Sequence, residues 1–214
     1  MNINEINNAL EWRYATKRFD TEKKISPENW AALQNSLVKA PSSYGLQPWK
    51  FLVIENKELR TKLRPVTWGQ SQVEEASHYV VFTSLKKLNA DYIHNFIKRV
   101  SEVRGVSIAD LAGYETMMNN NLVQGPRSAT IDQWAQRQAY IAMGFLMETA
   151  ALLGIDACPI EGLEPEQYNK ILDLENSGYQ TVAAVALGYR HPEDKYQTTK
   201  KVRFTVEDMI KIIR

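Results

Sequence analysis

Apolar residues recur at helical spacing near the start of the chain, at Ile3, Ile6 and Leu10, and predict a first helix. A second is predicted from Trp30, Leu33, Leu37 and Val38, with Ser26 as N-cap acceptor and Pro27 in the first turn, where its missing N–H would have had no partner. Residues 51–54, 79–83 and 181–189 carry runs of Val, Phe and Tyr between polar or glycine-containing segments, and these predict strands. Between residues 134 and 153 the helical pattern is apolar nearly all round, with Ala139, Ala142, Gly144, Ala150 and Ala151 among Ile141, Phe145, Leu146 and Met147. Such a helix must be covered on every side, by its own domain or by a second subunit, and a chain of this size favours the subunit. Gly154 follows as the residue that ends the helix. Residues 86–132 are less periodic, with a helical stretch at 92–103 and a polar tract from Asn119 to Pro126. They read as a mobile insertion, placing Tyr92, Phe96, Tyr114, Met117 and Met118 to close over a pocket or simply to pack.

Three strands among helices indicate a mixed α/β-type chain, and 214 residues suit a single domain. Composition then works by exclusion. With 44% hydrophobic residues, 24% charged residues and a net charge of +1, the chain is neither disordered nor basic enough to expect nucleic acid as a partner. The lone cysteine, Cys158, excludes an internal disulfide, and no basic start with an apolar run suggests export, so a cytoplasmic protein is expected. The apolar run at 139–153 is interrupted by Glu148 and falls short of the roughly 20 residues a bilayer requires, so no membrane association is expected.

Candidate chemistry is concentrated in polar clusters far apart in sequence. Pro41, Ser42, Ser43, Tyr44, Gly45, Leu46, Gln47, Pro48 and Trp49 combine hydroxyl, amide and turn-forming residues just before a strand. They suit a polar, flat ligand, or only a Pro/Ser/Gly turn. Others are Arg13 to Asp20, Trp68 to Gln72, Pro159-Ile160-Glu161-Gly162, and Lys201 to Phe204. Arg13 with Lys17, and Lys201 with Arg203, suit an anion, because guanidinium forks match phosphate oxygens and lysine adds a point charge. GxGxxG, Walker and GxSxG motifs are missing, and His78, His94 and His191 lack metal-ligand spacing. Cys158 before proline reads as a small buried hydrophobe, and Glu74-Glu75 as a solvated face or the lead into a strand.

In order along the chain, R-Y-A-T-K-R-F-D, P-S-S-x-x-x-Q-P-W, W-G-Q-S-Q-V-x-x-A-S, P-I-E-G and K-x-R resemble the FMN-dependent nitroreductase family, including its oxygen-insensitive NAD(P)H nitroreductases. The likeness runs from Trp12 to Phe204. It implies an α+β fold, a central, mainly antiparallel sheet flanked by helices, in an interlocked homodimer with FMN at the subunit interface. By the same resemblance Arg13, Tyr14 and Ala15 approach the FMN phosphate and ribityl chain, Lys17 the pyrimidine edge, and Lys201 and Arg203 close on the phosphate. Pro41, Ser42, Ser43, Tyr44 and Gly45 come from the partner subunit, Gln70 or Gln72 bonds the polar part of the ring, and Pro159, Ile160, Glu161 and Gly162 lie along one face with the Glu161 N–H at N5.

The resemblance further implies ping-pong hydride transfer from NADH or NADPH through FMN to nitroaromatic, quinone or enone acceptors. A flavin-binding storage or sensor protein, or a specialised reductase or dehalogenase of the same superfamily, is the alternative. The chain departs from the family pattern at three places: Ala15 replaces a frequent serine, Tyr44-Gly45-Leu46 lacks small polar residues, and Gln72 stands where some members carry lysine.

Overall fold

The strand-forming runs pair into one four-stranded antiparallel sheet in a computed structural model that describes residues 2–214. Its strands are β1 (Trp49–Val53), β2 (His78–Leu85), β3 (Asp156–Ile160) and β4 (Tyr179–Gly188), in the order β1-β2-β4-β3. The register sets Phe51 opposite Phe82, Val80 opposite Val185 and Cys158 opposite Ala186. Around the sheet run α1 (Ile3–Trp12), α2 (Pro27–Lys39), α3 (Lys57–Leu63), α4 (Gln72–Glu75), α5 (Ala90–Arg104), α6 (Ala112–Met118), α7 (Ile131–Leu152), α8 (Pro165–Ile171) and α9 (Val206–Met209).

Strand alternation sorts the core into two layers. Val80 and Phe82 of β2 meet Leu33 and Leu37 of α2 and Ala142, Met143 and Leu146 of α7. Tyr79 and Val81 face the opposite side, with Leu63, Val73, Cys158, Ile160 and Tyr168. Each fully buried large apolar side chain contributes roughly 1.5–3 kcal/mol. The Ser26 hydroxyl accepts from the Asn29 N–H at 3.2 Å, so the predicted cap starts α2, and Gly154 ends α7 at φ +68°.

Strand β3 lies outside the predicted strands, because Cys158-Pro159 breaks any β-forming run. It is an edge strand, where a residue without an N–H is tolerated. Of the two readings of Glu74-Glu75, the lead into a strand holds, since α4 ends at Glu75 and β2 begins at His78. Glu74 accepts from Arg64 at 2.5 Å and Thr61 at 2.8 Å, and Glu75 from the Phe19 N–H at 3.0 Å, so this half-buried pair ties α3, α4 and the N-terminal segment together. Helix α7 buries one side only. Tyr140, Ile141 and Phe145 stay exposed, so the chain's own domain does not complete its cover.

Residues 86–132 fold as α5 and α6, a π-turn at Asn119–Val123 and a 3₁₀ turn at Pro126–Thr130. Ile93, Ile97, Met118 and Leu122 form a third core with Leu46 and Trp134. Leu46 thereby fastens the predicted loop to this segment. Among the described residues no helix is long and apolar enough to cross a membrane.

Candidate functional site

Arg13 caps α1, its N–H donating to Ala9 O at 3.0 Å, and the chain then turns extended along the edge of β3. Ala15 bridges Ala157 in parallel, and the Thr16 N–H donates to Ala157 O at 3.3 Å. Two buried carboxylates hold this segment. Asp194 accepts from the backbone N–H groups of Lys17 (2.7 Å), Arg18 (3.1 Å) and Tyr196 (3.0 Å). Burial pushes the Asp194 carboxyl up, but these donors and the Tyr14 hydroxyl prevail and hold it below the usual carboxylate range. Asp156 accepts from Arg190 N–H and Nε, each at 2.8 Å, and from Thr16 Oγ1 at 3.3 Å. The Arg190 guanidinium lies 4.2 Å from the Trp12 ring centre and 4.6 Å from that of Tyr14.

This frame opens a cavity of about 400 Å³ lined by Arg13, Tyr14, Ala15, Lys17, Lys201 and Arg203 together with Tyr196 and Thr199. Among the described residues its only lining carboxylate is Glu11. Burial, then the neighbouring Arg203 charge, lowers the Arg13 pKa. Lys201 is lowered by burial and by Arg13 and Arg203, against Glu11. Mutually repelling cations around a roomy cavity fit a phosphate-bearing group, whose charge would relieve them. Ala15 offers only its backbone to such a group.

The bridge at Ala157 brings Pro159 and Ile160 of β3 beside the cationic segment, with Glu161 and Gly162 following the strand; none of the four lines the cavity. Lys17 Nζ lies 4.0 Å and Gln72 Nε2 3.8 Å from Cys158 Sγ, so these three meet on one side of β3. Cys158 is fully buried, and burial raises its thiol pKa, with Lys17 opposing. Gln70 donates through Nε2 to Gly162 O at 3.0 Å and Thr67 O at 3.1 Å, which leaves its Oε1 as the atom to offer a ligand. At Gly162 an added Cβ would lie 2.7 Å from the Trp68 indole, so a larger residue there would have to displace that exposed ring. Tyr140 of α7 donates to Glu161 Oε1, and burial with that carboxylate pushes its pKa up to about 12.

The Pro41 to Gly45 loop does not line this cavity. The Ser43 N–H donates to Gln138 Oε1 of α7 at 2.9 Å, and Ser42 Oγ accepts from the Gln47 N–H at 2.9 Å. Gln47 uses one of its two amide N–H donors internally, its Nε2 donating to Val38 O at 2.7 Å. Asp156, Arg190, Asp194 and Gln138 are site-building residues that sequence reasoning misses. Only Gln138 left a signal, as a polar residue inside an apolar helix.

The Nitroreductase family model matches residues 10–189. The Bacillus subtilis protein YfkO, provisionally named an NAD(P)H nitroreductase, is 38% identical over 97% of this chain and 96% of its own. A nitroreductase-like protein from Streptococcus mutans superposes with TM-score 0.84 at 19% identity, covering 100% of both chains. A provisionally named nitroreductase from Exiguobacterium sibiricum, solved in complex with FMN, superposes at 0.79 with 22% identity, over 100% of this chain and 98% of its own.

Proposed function

This chain belongs to the nitroreductase family, and from that premise we propose that it is an FMN-dependent oxidoreductase using NADH or NADPH to reduce nitroaromatic, quinone or enone acceptors by a ping-pong mechanism. The observation that carries the proposal is the convergence of Arg13, Lys17, Lys201 and Arg203 on one cavity beside β3. When bound, FMN would supply the hydride-transfer chemistry. The chain's residues bind and orient it. Arg13, Lys201 and Arg203 hold the phosphate, with Tyr14 and Ala15 beside it. Lys17, whose backbone N–H is held by Asp194, would offer its ammonium to the negative charge of the reduced ring. The Glu161 N–H would orient the ring on the Pro159–Gly162 side, and Gln70 Oε1 or Gln72 would meet its polar edge.

In this reading the partner subunit contributes the wall of Pro41, Ser42, Ser43, Tyr44 and Gly45, and residues 86–132 act as a lid. Two features support a homodimer. The face of α7 carrying Ile141 and Phe145 is uncovered, and the C-terminal arm exposes Val202 (84%), Phe204 (79%) and Ile213 (87%), apolar surface that a second copy would cover. The purified protein should be a yellow dimer by light scattering, release FMN on denaturation, and bleach anaerobically with NADH or NADPH. A bound flavin that neither nicotinamide bleaches would sink the oxidoreductase reading.

A further inference from the structure

The Pro41 to Trp49 loop carries two side-chain-bearing residues in the left-handed region, Tyr44 at φ 60° and Gln47 at φ 46°. Neither is glycine or asparagine, so both conformations are strained and must be imposed by surrounding structure. The carbonyls around them show how. Tyr114 Oη donates to Tyr44 O at 2.8 Å. Tyr92 Oη shares its one proton between Gln47 O at 2.8 Å and Leu46 O at 3.1 Å. Both rings pack on the third core, where Leu46 is buried with Ile93, Ile97 and Met118. Burial pushes both phenol pKa values up, so each hydroxyl keeps its donor proton at neutral pH.

These contacts divide the loop's support. Gln138 of α7 holds the Ser43 N–H on one side, while residues 86–132 hold three carbonyls on the other. Without the Tyr114 hydroxyl, the Tyr44 peptide loses the partner that opposes its return to an ordinary conformation. That return would rotate the Ser42 to Gly45 backbone.

We propose that Tyr92 and Tyr114 are positioning residues for the flavin wall: their hydroxyls, acting through the carbonyls of Tyr44, Leu46 and Gln47, set the loop geometry that the partner subunit's flavin meets. The proposal rests on the reading that this loop faces FMN. It makes residues 86–132 the clamp that shapes the cofactor site, in addition to any role as a lid.

Tyr92→Phe and Tyr114→Phe keep the rings and delete only the hydroxyls, and either one alone suffices as a test. In the full-length protein each is expected to weaken FMN binding by about 2- to 10-fold, the worth of one hydrogen bond, to alter the visible absorption of the bound flavin, and to raise the acceptor KM more than it lowers kcat. Leu111→Ala is the packing control, since Leu111 packs on the same core but makes no side-chain bond to the loop. It should lower the urea midpoint and leave the FMN Kd and flavin spectrum unchanged. A wild type that binds FMN alongside Phe variants of wild-type Kd and spectrum would overturn the proposal alone. An effect of Leu111→Ala on the flavin equal to theirs would do the same. A wild type that takes up no FMN would overturn the functional reading and this inference with it.

Discussion

The cationic cleft and the Pro41 to Trp49 loop are both polar walls, yet opposite forces hold them. The cleft runs in extended backbone along a sheet edge, and Asp156 and Asp194 clamp it from inside with hydrogen bonds to Thr16, Lys17, Arg18 and Arg190. From Pro41 to Gln47 the loop has no strand pairing and no carboxylate holding it. It holds positive φ at Tyr44 and Gln47, and one amide and two phenols keep it there. A wall meant for a fixed anion gains from a backbone held by buried carboxylates, because the segment that carries Arg13 and Lys17 needs no reorganisation when the anion arrives. A wall meant for a flat, neutral ring needs shape, and strained backbone locked by packing supplies it.

Breaking the frame of the cleft should have the largest effect. Asp156→Ala strands Arg190, whose side chain is only 19% exposed, and is expected to cost about 3–5 kcal/mol in urea unfolding. Arg203→Ala touches the same wall from its exposed end. It should weaken FMN binding by about 1.5–3 kcal/mol in a titration while the urea midpoint stays put. Unchanged affinity would remove Arg203 from the phosphate site.

On the loop side, Gln138→Leu leaves the Ser43 N–H without its acceptor and is expected to cost about 1–3 kcal/mol by urea unfolding. A loss larger than that of Asp156→Ala would invert the comparison. The smallest effect concerns pH. The Asp194 carboxyl is held below its unfolded pKa of about 3.9, so its stabilisation is complete above that value and fades as pH falls through the lower folded pKa. Melting temperatures of wild type and Asp194→Asn should therefore differ at pH 6 and converge toward pH 3; a gap that stays constant would remove the ionised clamp.

What was legible along the chain follows from how local each signal is. Strands β1, β2 and β4 were readable because β-branched and aromatic runs declare themselves within a few residues, and α2 because Ser26 and Pro27 mark its start. Strand β3 was not, since Asp156 to Ile160 becomes a strand only by pairing with β4. Residues 86–132 were hard to read for a related reason. The helical stretch at 92–103 does appear, as α5, but α6 spans only seven residues, and the segment is held by a core shared with Leu46 and Trp134, far from it in sequence.

In the site, the charged residues stood out and their supports did not. Arg13, Lys17, Lys201 and Arg203 form pairs visible at a glance, whereas Asp194 matters only because folding brings it to the Lys17 and Arg18 N–H groups. Gln70 and Gln72 looked equivalent as flanking amides. Folding separates them, with Gln70 bonded to Gly162 O and Gln72 buried against Cys158.

The sequence by itself determined which segments are apolar enough to form the sheet and the long helix, where the cations lie, and, through the order of its motifs, the family. Only the tertiary structure decided that β3 exists, that two buried carboxylates hold the cationic wall, and that Tyr92 and Tyr114 hold the strained loop. The physical reason is range. Hydrophobic periodicity and charge are properties of neighbouring residues, but the Lys17–Asp194 and Tyr44–Tyr114 contacts join residues 177 and 70 positions apart, and these pairings exist only once the core has closed.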